Sequence, residues 1–166
     1  MKHIIFDWGD TIMRDDPGRA EAMHLWPHVE LIPGAKKVLS ELGQVFNISL
    51  ATNAMISDEK MIRQALRRVG VEQHFRSIFT AKTIGMKKNE PEFWLYVFNA
   101  LEAKPEEITV VGDSFEGDVV SPNSVGLRAI WLNRFTAENR CGALYHTIHN
   151  LTELLDERKN PNRTGR

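Results

Sequence analysis

The chain has one cysteine, Cys141, in 166 residues, so no intramolecular disulfide can form. No apolar run approaches the roughly 20 residues that a membrane span requires. Met1-Lys2-His3-Ile4-Ile5-Phe6 leads straight into Asp7, without the apolar region of a signal peptide. Excess charge is also missing: 21 Lys and Arg stand against 22 Asp and Glu, for a net charge of −1. That balance excludes the cationic footprint that anchors a protein to a phosphate backbone, although it leaves nucleic acid open as a substrate. Internal repeats, low-complexity segments and linkers are absent too. The expectation is one soluble domain of a reducing compartment, most simply the cytoplasm.

What is present is 42% hydrophobic residues, arranged in short runs. Residues 3–6, 46–51, 108–111 and 128–132 read as buried parallel strands, with 77–81 a weaker fifth. Helical periodicity covers 35–42, then 57–69 with Met61, Ile62, Ala65, Leu66 and Val69 on one stripe, then 90–101 with Phe93, Trp94, Val97, Phe98 and Leu101. Asn89-Glu90-Pro91 starts the third of these. Asn150 caps a final helix over 151–155, and 156–166, rich in charge, Asn, Pro and Gly, reads as a frayed tail. Alternating strands and helices predict an α/β fold of three layers, Rossmann-like, with a central and mostly parallel sheet covered on both faces.

In such sheets ligands bind beyond the carboxyl ends of the strands. There the sequence places Asp7-Trp8-Gly9-Asp10-Thr11, Thr52-Asn53, and Gly112-Asp113-Ser114 with Asp118 beyond, while Lys87 and Lys88 precede the third helix. Two carboxylates about 4 Å apart repel by about 4 kcal/mol at an effective dielectric of 20. Asp7 and Asp113 can therefore share a site only with a neutralising partner. Oxygen ligands favour a hard cation, and few carboxylates with positions left for water and phosphate favour magnesium over calcium. A Thr52 hydroxyl donating to a phosphoryl oxygen and a lysine offsetting its charge then suit phosphoryl transfer.

In order and spacing these segments resemble the four motifs of the haloacid dehalogenase (HAD) superfamily: Ile4-Ile5-Phe6-Asp7-Trp8-Gly9-Asp10-Thr11, Leu50-Ala51-Thr52-Asn53, Lys88 ahead of Asn89-Glu90-Pro91, and Val110-Val111-Gly112-Asp113-Ser114 with Asp118. The resemblance covers nearly the whole chain up to the last helix. It implies a HAD-like fold and a magnesium-dependent phosphatase in which Asp7 is the nucleophile and forms an aspartyl-phosphate. It further implies that Thr52, Asn53 and Lys88 bind the phosphoryl group. Magnesium is held by Asp7, the Gly9 carbonyl and Asp113, with Asp118 supporting that shell.

Two departures stand out. Most phosphatases of the family have a second Asp, the general acid and base, two residues after the nucleophile, where this chain has Gly9. Asp10, one residue further on, is the remaining candidate for that catalytic role, against the reading that Asp10 and Thr11 close a turn. The second departure is length: only about residues 13–33 are available for a cap, inside a domain spanning 1–155. An open site fits a bulky or macromolecular phosphate ester, or a small one enclosed by a neighbouring copy of the chain. Gly9 keeps a second function in play, a phosphate-binding or regulatory protein with weakened turnover. Dehalogenation is disfavoured because it has no use for Asp113 and Asp118, and a receiver domain because Thr80-Ala81-Lys82 offers no Asp after the third strand.

Plainer readings apply elsewhere. His24 and His28 have helical spacing, but Pro27 interrupts them, so they form a polar face rather than a metal pair. Trp8 either lines the entrance or packs beneath the loop, and Trp26 is a candidate substrate or subunit contact. Lys36/Lys37 and Arg67/Arg68 read as solvated faces, and Ser114 as the cap of the helix after it.

Overall fold

The first strand builds the layers. In β1 (His3–Phe6), Ile4 and Phe6 join one buried cluster and Ile5 joins another, because successive side chains of a strand point to opposite faces. In the computed structural model, which describes residues 1–159, that alternation is extended by β2 (Asn47–Thr52), β3 (Phe75–Thr80), β4 (Ile108–Gly112), β5 (Arg128–Leu132) and β6 (Tyr145–Ile148). They form one sheet of order β3-β2-β1-β4-β5-β6, with every pairing parallel. On one face, α1 (Ala35–Leu42), α2 (Glu59–Arg68) and α6 (Glu153–Lys159) contribute Val38, Leu39, Ile62, Leu66 and Leu154. On the other, α4 (Pro91–Ala100) contributes Phe93, Trp94 and Val97. Two short helices, α3 (Ala81–Ile84) and α5 (Ser121–Ser124), complete the set.

Local chemistry accounts for the boundaries. Asp58 caps α2 by accepting the Met61 N–H at 3.1 Å, and Pro91 opens α4 at its first position, where a missing N–H costs nothing. Three expectations are corrected. Residues 145–148 form a sixth strand that has no apolar run, since Tyr145, His146 and Thr147 are only partly buried on the sheet edge. Residues 156–159 continue α6 rather than fraying, because Leu154 and Leu155 anchor the helix in the core and Glu157 meets His146 at 2.6 Å; residues 160–166 lie outside the described residues. Asn150 does not cap through its side-chain Oδ1, which accepts the Thr152 hydroxyl, while Glu153 folds back to accept the His149 and Asn150 N–H groups.

The segment between β1 and α1 is brief and well packed. Met13 bridges Leu31, a 3₁₀ turn spans Met23–Leu25, and Met23, Trp26 and Ile32 are buried with the core. Arg68 of α2, far from being a merely solvated residue, donates to the carbonyls of His24 at 3.0 Å, Trp26 at 2.7 Å and Pro27 at 3.1 Å. Those carbonyls lie in an irregular turn without ladder partners, and a guanidinium's rigid fork suits such a group of acceptors.

Candidate active site

Because β1 lies between β2 and β4, the chain order reverses at its carboxyl end, where α/β sheets form ligand crevices. Asp7 follows β1, Thr52 ends β2 and Asp113 follows β4, and all three line one cavity of about 400 Å³ together with Lys88. The carboxylates of Asp7, Asp113 and Asp118 each bring an oxygen within 4.8 Å of the others. Asp118 arrives from an irregular helical turn, Phe115–Val120, whose start is capped by Ser114 Oγ accepting the Gly117 N–H at 3.2 Å. Its carboxylate packs over Gly112, where any Cβ would overlap it.

Lys88 is clamped at three points. Its N–H donates to Asn53 Oδ1 at 2.7 Å, its carbonyl accepts the Trp94 indole N–H at 2.7 Å, and its ammonium donates to Asp7 Oδ1 and, at 2.7 Å, to Asp118 Oδ1. Burial alone would lower the Lys88 pKa, but Asp118 and Asp7 outweigh it and the net shift is upward. The ammonium is therefore a fixed positive charge.

One cation does not balance three acids. Burial first, then Asp7 and Asp118, pushes Asp113 up to about 7. Burial also lifts Asp118, against the pull of Lys88, to about 6. Carboxyls raised this far mark a site that gains from further positive charge. The donor set, all oxygen and mostly carboxylate, fits a hard divalent cation. The two oxygens of Asp118 are engaged by Lys88 and the Ser114 N–H. That leaves the carboxylates of Asp7 and Asp113 as the less encumbered of the three, with Gly9 also lining the cavity.

The remaining predicted residues divide. Thr52 Oγ1 accepts the Ala54 N–H at 3.2 Å, which leaves its O–H to donate into the cavity. Asn53 lines the cavity, but its side-chain carbonyl holds the Lys88 backbone. Asp10 has a left-handed backbone, φ 54°, and its carboxylate is bound by Arg134 Nη2 at 3.0 Å, while Arg134 Nε holds the Asp10 carbonyl at 3.0 Å. These bonds give Asp10 a loop-fixing role, and Thr11 lies in the same turn with its hydroxyl directed to Asp113 Oδ1 rather than to the turn itself. Arg134 escapes the sequence reading, although its position just beyond β5 is the kind of place the strand-end rule searches. Trp8 is buried, donates to Met13 Sδ at 3.3 Å and also borders the cavity, so both readings hold. Trp26 is buried, with its indole N–H on the Glu21 carbonyl at 2.9 Å, and it also lines the cavity.

Comparison with known proteins adds a common pattern. Residues 4–132 match the family model described as haloacid dehalogenase-like hydrolase. The HAD-hydrolase YfnB of Bacillus subtilis is 30% identical over 105 residues, 63% of this chain and 43% of that protein. A glyceraldehyde 3-phosphate phosphatase of Pyrococcus furiosus is 29% identical over 103 residues, 60% of this chain and 41% of that protein. The chain thus spans under half the length of these two relatives. Among solved structures, an uncharacterized protein from Listeria monocytogenes serotype 4b superposes with a TM-score of 0.83 at 26% identity, over 96% of this chain and 99% of the other. YfnB, in a magnesium-bound crystal structure, gives 0.75 at 19% identity, over 93% and 97%.

Proposed function

Since the chain belongs to the haloacid dehalogenase-like hydrolase family, we propose that it is a magnesium-dependent phosphatase that transfers the phosphoryl group of a monoester to Asp7 and then to water. The observation that carries this reading is the meeting of Asp7, Lys88, Asp113 and Asp118 at one strand edge, with the Thr52 hydroxyl beside them. The phosphatase name of the Pyrococcus relative and the magnesium bound to YfnB support it.

Asp7 attacks phosphorus through one carboxylate oxygen, while the Lys88 ammonium steadies the carboxylate at Oδ1. The resulting aspartyl-phosphate divides one hard displacement into two easier ones. Thr52 donates to a phosphoryl oxygen, and Lys88 offsets charge on Asp7 and the phosphoryl group. Asp7, Asp113 and the Gly9 carbonyl would hold magnesium, with Asp118 behind them. When bound, the ion supplies the positive charge that lets anionic phosphate approach anionic carboxylates. The short 13–33 segment lines one side of the cavity through Asp15, Arg19, Glu21, Met23 and Trp26, and its brevity suits a bulky ester. For a chain whose cysteine is exposed and free, the cytoplasm is the compartment that fits; among the described residues no helix is long and apolar enough to cross a membrane.

A panel of phosphate esters, assayed with and without magnesium, tests the reading against Asp7→Asn. Turnover that needs magnesium and is lost in Asp7→Asn is expected; turnover that survives the substitution would rule out the nucleophile. The competing reading, phosphate binding with weak turnover, draws on Gly9 and on the Arg134 bonds that occupy Asp10. Phosphate binding without turnover of any ester would favour it.

A further inference from the structure

An alkoxide is a poor leaving group, so a phosphatase acting on alkyl esters needs a proton donor beside the ester oxygen. Besides Asp7 and Asp113, three acidic residues line the cavity: Asp10, Asp15 and Glu21. Asp10 is bound by Arg134, and Glu21 faces Arg19 at 3.4 Å. Asp15 is differently placed. A Cβ built on Gly9 would lie 3.0 Å from Asp15 Oδ2 and 3.3 Å from Asp15 Cβ and Cγ. Its carboxylate thus fills the space that a side chain at residue 9 would enter.

The backbone explains how a residue six positions later arrives there. Trp8 carbonyl accepts the N–H groups of Ile12 and Met13, each at 3.0 Å, and the Asp10 N–H returns to Met13 carbonyl at 2.7 Å. The chain then runs beside residues 30–32, with the Arg14 N–H on Glu30 carbonyl and the Met13–Leu31 bridge. Residue 15 is thereby turned back over Gly9. Asp15 Oδ1 accepts the Asp16 N–H at 2.8 Å, which fixes the carboxylate and leaves Oδ2 toward Gly9 and the cavity.

We infer that Asp15 is the proton-transfer residue of this site, doing from a separate turn what Gly9 cannot. The inference rests on the phosphatase reading above. As the bond from phosphorus to the leaving oxygen breaks and the bond to Asp7 forms, the Asp15 carboxyl gives its proton to that oxygen, which departs as an alcohol. The Asp15 carboxylate then takes a proton from water while the water oxygen attacks phosphorus. The bond to Asp7 breaks, and inorganic phosphate and the Asp7 carboxylate are released.

The test compares acetyl phosphate, whose leaving group needs no proton, with the alkyl phosphate that the wild-type protein turns over fastest. In Asp15→Asn the ratio of kcat/KM on the alkyl ester to kcat/KM on acetyl phosphate, which reads phosphoryl transfer to Asp7 and not the later hydrolysis that both substrates share, is expected to fall about 10²-fold or more. An equal fall on both substrates, or none, would overturn the assignment while leaving the phosphatase reading intact. Failure of the wild-type protein to hydrolyse any phosphate would overturn both. A second measurement needs neither metal nor turnover. Gly9→Asp is expected to lower the Tm of metal-free protein by about 2–4 °C or more, and Asp15→Gly to remove most of that loss. Strictly additive effects would show that Asp15 does not occupy the space over Gly9, and would sink the proposal. The double variant moves the carboxylate from position 15 to position 9, and partial recovery of the alkyl-to-acyl ratio over Asp15→Gly alone is expected; no recovery counts against Asp15 as the proton donor.

Discussion

The Lys88 ammonium stands 2.7 Å from Asp118 Oδ1, with 2% of one side chain and none of the other exposed. Asp7, almost as buried, completes the group from the other side. Each charge there is tolerable only while the others remain, because removing one member of a buried ion pair leaves its partner desolvated and unpaired.

Lys88→Met should therefore destabilise the protein by about 3–5 kcal/mol at pH 8 without metal. Urea denaturation would show this as a lower midpoint. A midpoint equal to wild type would mean that the acids do not depend on the lysine.

The raised carboxyls fix a pH dependence. Asp113, at about 7, and Asp118, at about 6, both lie above the usual carboxylate value in the folded protein. Through these two groups the folded state binds more protons than the unfolded one between about pH 4 and 7, so their contribution lowers stability as pH rises, against a smaller opposing contribution from His3 and His74, whose pKa values burial lowers. The upward shift of Lys88 does not oppose this, since an ammonium is charged throughout that range in both states. The Tm of metal-free protein should decline from pH 5 to pH 8, and Asp113→Asn should flatten the decline. Under the proposed function magnesium would compete with the same protons, so its affinity should increase up to about pH 7 and then level off, with proton uptake on chelation as the calorimetric readout. A Tm that climbs across this interval without metal would contradict the electrostatic account.

Arg68 fastens the 13–33 segment through three carbonyls. Arg68→Ala should weaken local closure by roughly 1–2 kcal/mol, which corresponds to about 5–30-fold faster tryptic cleavage at Arg14 and Arg19. Cleavage at the wild-type rate would show that buried Met23, Trp26 and Ile32 hold the segment unaided.

What is legible in the sequence is local. Asp7, Thr52 and Asp113 each sit at or just after a mostly apolar strand, so run length and strand-end placement are enough to bring them together, and Asp118 follows β4 by six positions on the turn that Ser114 starts. Residues 145–148 offer no such run, because an edge strand pairs on one side and tolerates polar side chains. Arg68 and Arg134 are invisible for another reason. Their bonds reach across more than 40 and more than 120 residues, and nothing in the periodicity of a chain marks where a long side chain will end. Asp15 belongs with them: six residues separate it from Gly9, and only the loop's hydrogen bonds reveal that the two meet.

The three-point hold on Lys88 also bears on affinity. A lysine has roughly 1.5–2 kcal/mol of rotamer freedom to lose, and here Asp7 and Asp118 remove it when the chain folds, while Asn53 and Trp94 fix the backbone from which the side chain extends. A phosphoryl group meets an ammonium already ordered. The entropy of immobilising it is drawn from the stability of the fold, so under the proposed function phosphate would bind about 10–30-fold more strongly than at an equally charged but mobile lysine.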